Sequence, residues 1–434
     1  MNNYLLCATP AYGHVAPMIA IGQYLVGQGH RVRMITGSRF ADKVTAAGIE
    51  HISLPAEADF DDRDLPALFA EGQELTGIRR LQFDIEKNFI AVMPYQYRAI
   101  REQIGRAAVD AVLAENAFTG VLPLLMEPGE RPPVLVVGVL PLTVSSRDTA
   151  PFGMGLAPSN SPLGRVRNRA LNLLVSRFLF GKIQRIAQGH MRDLGVRSLP
   201  CFVLDGFSRA DQFLQLSSAS FEYPRSDLHR QVSFVGPVLP AAGDFVAPRW
   251  WPELDGNRKV ILVTQGTVAN SDLDQLIGPA MQALADQDVM VVATTGDEAS
   301  AAALRSSAPA NARVEAFLPY KELLEKVDLM ITNGGYGGVQ FALSHGVPLI
   351  VAGDTEDKPE IAARVAWSGT GINLHTGSPT ADAIADAAHR VLTEPEYRAA
   401  AQRLRDELAD TTPLETIAAT LAQAVEAGAA HAGQ

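Results

Sequence analysis

Short apolar runs of strand length recur along this chain, each followed by helical patterning, and the alternation starts twice. Runs 4–9 and 32–36 flank a first helical stretch. Runs 111–113 and 134–139 flank a second at 121–126, and runs 213–216 and 232–235 come later. A strand apolar at nearly every position has no face to offer water, so it belongs in a parallel sheet covered by helices on both sides. Pro17 is expected near the start of the first helix, where its missing N–H costs nothing. Residues 236–256 then hold prolines at 237, 240, 248 and 252 and glycines at 236, 243 and 256, which suits a linker. Beyond it the alternation resumes, with strands expected at 260–264, 289–294, 313–317, 329–332 and 349–352 and three more helices toward the end. The chain is therefore read as α/β, with two Rossmann-like β/α/β domains, 1–235 and 257–434, facing each other across a cleft. The last helices are expected to pack back on the first domain. In such sheets ligands bind at the carboxyl ends of the strands.

Composition narrows the function. At 434 residues the chain exceeds one ordinary core. Thirty-seven basic against 48 acidic side chains leave a net charge of −11, which repels nucleic acid. Two cysteines, Cys7 and Cys201, make neither a disulfide framework nor a zinc site and read as buried fillers. No apolar run is long enough to span a bilayer, and Met1-Asn2-Asn3-Tyr4 lacks the basic start of a signal peptide. A cytoplasmic protein is expected.

Four segments carry chemistry. In Ile331-Thr332-Asn333-Gly334-Gly335-Tyr336-Gly337-Gly338-Val339-Gln340 an apolar strand runs into four glycines and then a helical pattern from Val339. Glycines let the backbone approach a ligand, and a helix N-terminus offers unpaired N–H groups and positive potential, which together cradle phosphate. The segment is neither a P-loop nor a dinucleotide fingerprint, because the Gly-Lys-Ser/Thr and G-x-G-x-x-G spacings are absent. Thr264-Gln265-Gly266-Thr267 places a glycine turn and a hydroxyl after the first strand of the second domain. Phe317-Leu318-Pro319-Tyr320 offers a ring for a flat base. The acidic loop from Ala352 to Lys358 suits hydroxyl recognition, because ionised carboxylates accept several hydrogen bonds.

These segments, with Gly13-His14-Val15-Ala16-Pro17, Gly29-His30-Arg31-Val32, Val235-Gly236-Pro237 and Gly346-Val347-Pro348, resemble the UDP-glycosyltransferase superfamily, especially bacterial natural-product members. The resemblance spans nearly the whole chain. It implies a GT-B fold and inverting transfer from a UDP- or dTDP-sugar to a hydroxyl of a hydrophobic small molecule of polyketide, macrolide, flavonoid or sterol type. It also implies no metal and no cofactor besides the nucleotide-sugar co-substrate. His14 matches the family's base, and Glu115 stands where the family usually has the orienting Asp. Asn333, Gly335, Gly337, Gly338 and Thr267 fall at the diphosphate, Phe317 and Leu318 at the base, and Asp357 with Lys358 at the sugar. The family's usual His is Asn333 here, its Ser or Thr is Gly338, its Trp is Phe317, the Gln that often follows the proline is Tyr320, and the Gln of its sugar-binding pair is Lys358. Two other classes share the architecture: a sugar-nucleotide epimerase and a non-catalytic auxiliary of another transferase.

Residues 163–188 carry six basic side chains and no acidic one, interleaved with apolar residues. A peripheral contact with an anionic membrane is one reading. A lid or wall over the acceptor pocket is the other. Residues 59–89 and 145–161 are also expected to wall that pocket.

Overall fold

The computed structural model of the protein describes residues 1–63, 70–72, 74–75, 77–239, 245–266 and 272–432. The first domain holds a seven-stranded parallel sheet: β1 (Asn3–Cys7), β2 (Arg31–Thr36), β3 (Glu50–Ser53), β4 (Ala111–Glu115), β5 (Val134–Gly138), β6 (Gln212–Gln215) and β7 (Val232–Phe234), in the order β3-β2-β1-β4-β5-β6-β7. The second holds six parallel strands: β8 (Lys259–Thr264), β9 (Val289–Thr294), β10 (Ala312–Glu315), β11 (Leu329–Thr332), β12 (Leu349–Val351) and β13 (Gly371–Asn373), in the order β10-β9-β8-β11-β12-β13. In each sheet the order reverses beside the first strand, between β1 and β4 and between β8 and β11. In open parallel sheets ligands bind at such a switch point, outside the carboxyl ends.

The central strands are buried on both faces, as their sequences require. Leu5 and Cys7 of β1 enter one apolar layer, and Tyr4 and Leu6 enter the layer on the opposite face. Edge strands differ. β3 is polar except for Ile52 and half exposed, and β13 is only Gly-Ile-Asn, so neither carries the apolar run that marks the others. β10 ends at Glu315, two residues short of the expected 317, which leaves Phe317 beyond the strand. The first helix spans Tyr12–Gly27, so Pro17 lies inside it rather than at its start. There its ring has no N–H to give the Gly13 carbonyl one turn back. Cys7 is buried as expected, whereas Cys201 is only partly so.

Of the three closing helices, Ala381–Thr393 and Pro395–Ala409 stay on the second domain. The last, Pro413–Ala432, crosses back, and its Ile417 and Leu421 are fully buried in the first domain's core. The outgoing and returning segments meet where Gly236, at φ +85°, packs on Thr411. A Cβ there would sit 2.2 Å from the Thr411 hydroxyl.

Candidate active site

Adjacency of β1 and β4 builds the first half of the site. The turn after β1 leads into the Tyr12–Gly27 helix, whose first turn carries His14, and Glu115 is the last residue of β4. The His14 Nδ1 and Glu115 Oε2 are 2.8 Å apart. Glu115 is fully buried, and it also accepts the backbone N–H of Thr9 at 3.0 Å and of Ala117 at 2.7 Å. Burial alone would raise this carboxyl. His14 and the Thr9 hydrogen bonds outweigh it and hold the group below its ordinary range. An ionised Glu115 accepts from Nδ1–H, which leaves Nε2 as the ring's free acceptor. For His14, burial works against the charged ring, yet Glu115, with Asp357 and Glu356 from the other domain, raises the imidazole above its usual value.

The second half lies at the ends of β8 and β11. The helix after the glycine turn spans Tyr336–Ser344, three residues earlier than the pattern from Val339 suggests, with Gly335 as its N-cap. Gly337 and Gly338 are therefore first-turn residues. The N–H groups of that turn have no intrahelical acceptor, which is what an anion site requires. Gly334 takes φ +92°, where a Cβ would stand 2.7 Å from a Val351 methyl. Around Gly335 and Gly337 the corresponding space is open. Asn333 is buried; its amide donates to the Gln265 carbonyl, tying the ends of β8 and β11 together, and its Oδ1 is buried without a partner among the described residues. Phe317 is 68% exposed just past β10, while Leu318 beside it is buried. Thr267 lies outside the described residues.

Asp357 caps the Lys358–Trp367 helix by position, but its side chain makes no cap hydrogen bond. Burial pushes its carboxyl up to about 6, against the pull of Lys358. The Lys358 ammonium is itself buried and paired with Glu356, so it is neutralised locally.

The same helix reaches across to the first domain through side chains that nothing in the sequence reading singled out. Arg364 donates to Glu222 at 3.0 and 3.1 Å and to Glu360 at 2.6 Å, and all three are buried. The other Glu360 oxygen accepts from the backbone of Gly153 at 2.9 Å and Gly155 at 2.8 Å, within the 145–161 loop. Tyr336, between the site glycines, receives a hydrogen bond from Gln215 of β6 at 2.9 Å. The two domains are thus joined on the residues that frame the cleft.

The description "glycosyltransferase family 28 N-terminal domain" matches residues 6–122, and "erythromycin biosynthesis protein CIII-like, C-terminal domain" matches residues 279–423. The chain is 41% identical over 407 residues to a 4'-demethylrebeccamycin synthase of Lentzea aerocolonigenes, covering 93% of this chain and 95% of that protein. It is 38% identical to UDP-glycosyltransferase 2 of Phaeomoniella chlamydospora, covering 95% and 94%. A crystal structure of the glycotransferase of kitacinnamycin superposes with a TM-score of 0.73 at 20% identity over 98% of both chains, a likeness of fold. The chain belongs to the UDP-glycosyltransferase superfamily and is a glycosyltransferase of GT-B fold.

Proposed function

We propose that the enzyme performs a single inverting displacement, moving a sugar from a UDP- or dTDP-sugar to a hydroxyl of a hydrophobic small molecule of polyketide, macrolide, flavonoid or sterol type. The observation that carries this reading is the His14–Glu115 pair, whose imidazole also feels Asp357 from the opposite domain. Nε2 of His14 takes the acceptor hydroxyl proton as that oxygen bonds to the anomeric carbon. The bond from that carbon to the diphosphate breaks, and the nucleoside diphosphate leaves with the electron pair. Glu115 fixes the tautomer and stabilises the imidazolium that forms.

The leaving charge is met by the backbone N–H groups of the N-cap Gly335 and of Gly337 and Gly338 in the first turn, which need no reorganisation as it develops. Asn333 keeps this turn in register with β8, Thr267 assists at the diphosphate, Phe317 with Leu318 holds the base, and Asp357 with Lys358 holds the sugar. No metal or resident cofactor enters this reading. Relatives named for a UDP donor and for a natural product support the donor and acceptor classes.

The test is the anomeric configuration of the product, read by proton NMR after incubation with UDP- and dTDP-sugars and a phenolic or polyketide acceptor. Inversion is expected. Retention, or an isomerised donor formed without acceptor, would overturn the proposal.

A further inference from the structure

The Pro162–Leu174 helix, continued by a π-helical turn at Val175–Leu179, is mounted with its polar side inward. Asn168 is buried and gives its amide to the Arg147 carbonyl at 3.2 Å. Asn172 donates to the carbonyls of Ser146 at 3.2 Å and Thr149 at 3.1 Å. The large apolar side chains point the other way: Leu163, Val166, Leu173, Leu174 and Phe178 are 83, 67, 53, 47 and 76% exposed. Their spacing puts them on one side of the helix. Scattered exposed apolar residues are ordinary, but a stripe of five marks a surface that meets something apolar.

The charge around the stripe is equally specific. The chain carries −11 overall, yet residues 163–188 hold six basic side chains and no acidic one. Arg169, Arg177 and Arg185 are exposed and make no ion pair or hydrogen bond among the described residues. Beside the helix lies a pocket of about 560 Å³ lined by Arg147, Arg165 and Arg169 together with Ser146, Asn172 and Asp227. Arg165 is held at its rim by Asp148 at 2.8 Å.

We infer that this face docks on an anionic lipid bilayer, with the leucines and Phe178 in the headgroup–acyl boundary and the arginines on lipid phosphates. A bilayer supplies both halves of what the helix presents, an apolar layer beneath a negative one. Pairing with a second copy through the same face would set Arg169 and Arg177 near their own equivalents, since a twofold interface opposes like patches. The docking goes beyond the transfer chemistry, because it uses none of the residues assigned to the cleft.

The test is cosedimentation of the full chain with phosphatidylglycerol vesicles and, separately, phosphatidylcholine vesicles, at low and high salt. The expected result is binding to phosphatidylglycerol, at least tenfold weaker to phosphatidylcholine and weakened by salt. The double variant Leu163→Ser/Phe178→Ser and the double variant Arg169→Glu/Arg177→Glu should each lose at least tenfold. Both should keep the wild-type far-ultraviolet circular dichroism spectrum and the thermal shift with UDP or dTDP, which reports the cleft separately. No sedimentation with phosphatidylglycerol overturns the inference, as does undiminished binding by the apolar variant. So does a dimer, seen by light scattering, that the apolar variant abolishes while vesicles are ignored.

Discussion

His14 and Glu115 are 101 residues apart in sequence, yet Nδ1 of one lies 2.8 Å from Oε2 of the other. They meet because β1 and β4 are neighbours in the sheet, so the turn after one strand and the last residue of the other share a carboxyl edge. The pair is assembled by topology rather than by any local motif.

The imidazole serves as a base only when neutral. Burial disfavours its charged form, but Glu115, Asp357 and Glu356 together raise its pKa above the ordinary 6.5. The rate at low acceptor concentration should therefore climb with pH through a midpoint above 6.5. Replacing Glu115 with Gln removes the nearest anion, so the midpoint should move down while the plateau falls by about 10²-fold. A pH–rate profile of both enzymes checks this, and a midpoint that stays put would count against the pairing.

Asp357, raised to about 6 by burial, is ionised at pH 7.5 and mostly protonated at pH 5. Donor KM should rise as pH falls through 6. Asp357→Asn should raise donor KM at pH 7.5 by about tenfold, in line with loss of a charged hydrogen bond worth roughly 1.5 kcal/mol. It should also flatten the pH dependence and leave UDP affinity within about twofold. Titrations with donor and with UDP separate the two, and equal loss of both would remove Asp357 from the sugar.

The glycine turn distinguishes strain from access. Gly334→Ala forces a Cβ toward Val351 at φ +92°, so it should cost about 1–3 kcal/mol of stability. Gly337→Ala enters open space and should melt like wild type, yet bind UDP about tenfold more weakly by crowding the anion site. Thermal unfolding with and without nucleotide reads both effects.

Arg364 is the hinge of the buried interdomain cluster. Arg364→Ala strands Glu360 as an uncompensated buried anion and leaves Glu222 with only Arg225, 3.5 Å away, a loss of roughly 3–5 kcal/mol. Because those carboxylates also hold the Leu142 backbone N–H and the Gly153–Gly155 turn, the domains should uncouple. Urea unfolding should show a lowered midpoint and a transition that separates into two steps, whereas a single unshifted transition would refute the coupling.

The parts of this account legible in the sequence are those buried on both faces. β1, β4, β8, β9 and β11 announce themselves because unbroken apolar runs have no other use, while β3 and β13, polar or glycine-containing edge strands, do not. Phe317 and the glycine turn were legible as motifs, and His14 with Glu115 only through family resemblance. The Glu222–Arg364–Glu360 cluster left no trace, since its members are up to 142 residues apart and Arg364 looks like any surface helix arginine. That the Lys358 ammonium is buried and paired with Glu356 was likewise not legible.

The most direct measurement is transfer and nucleotide binding by His14→Ala in the same preparation. Transfer should fall by about 10²–10⁴-fold, while thermal stabilisation by UDP or dTDP stays at the wild-type level, since the diphosphate turn belongs to the other domain. Retained transfer would mean that His14 is not the base. Joint loss of transfer and nucleotide binding would contradict the division of labour between the two domains.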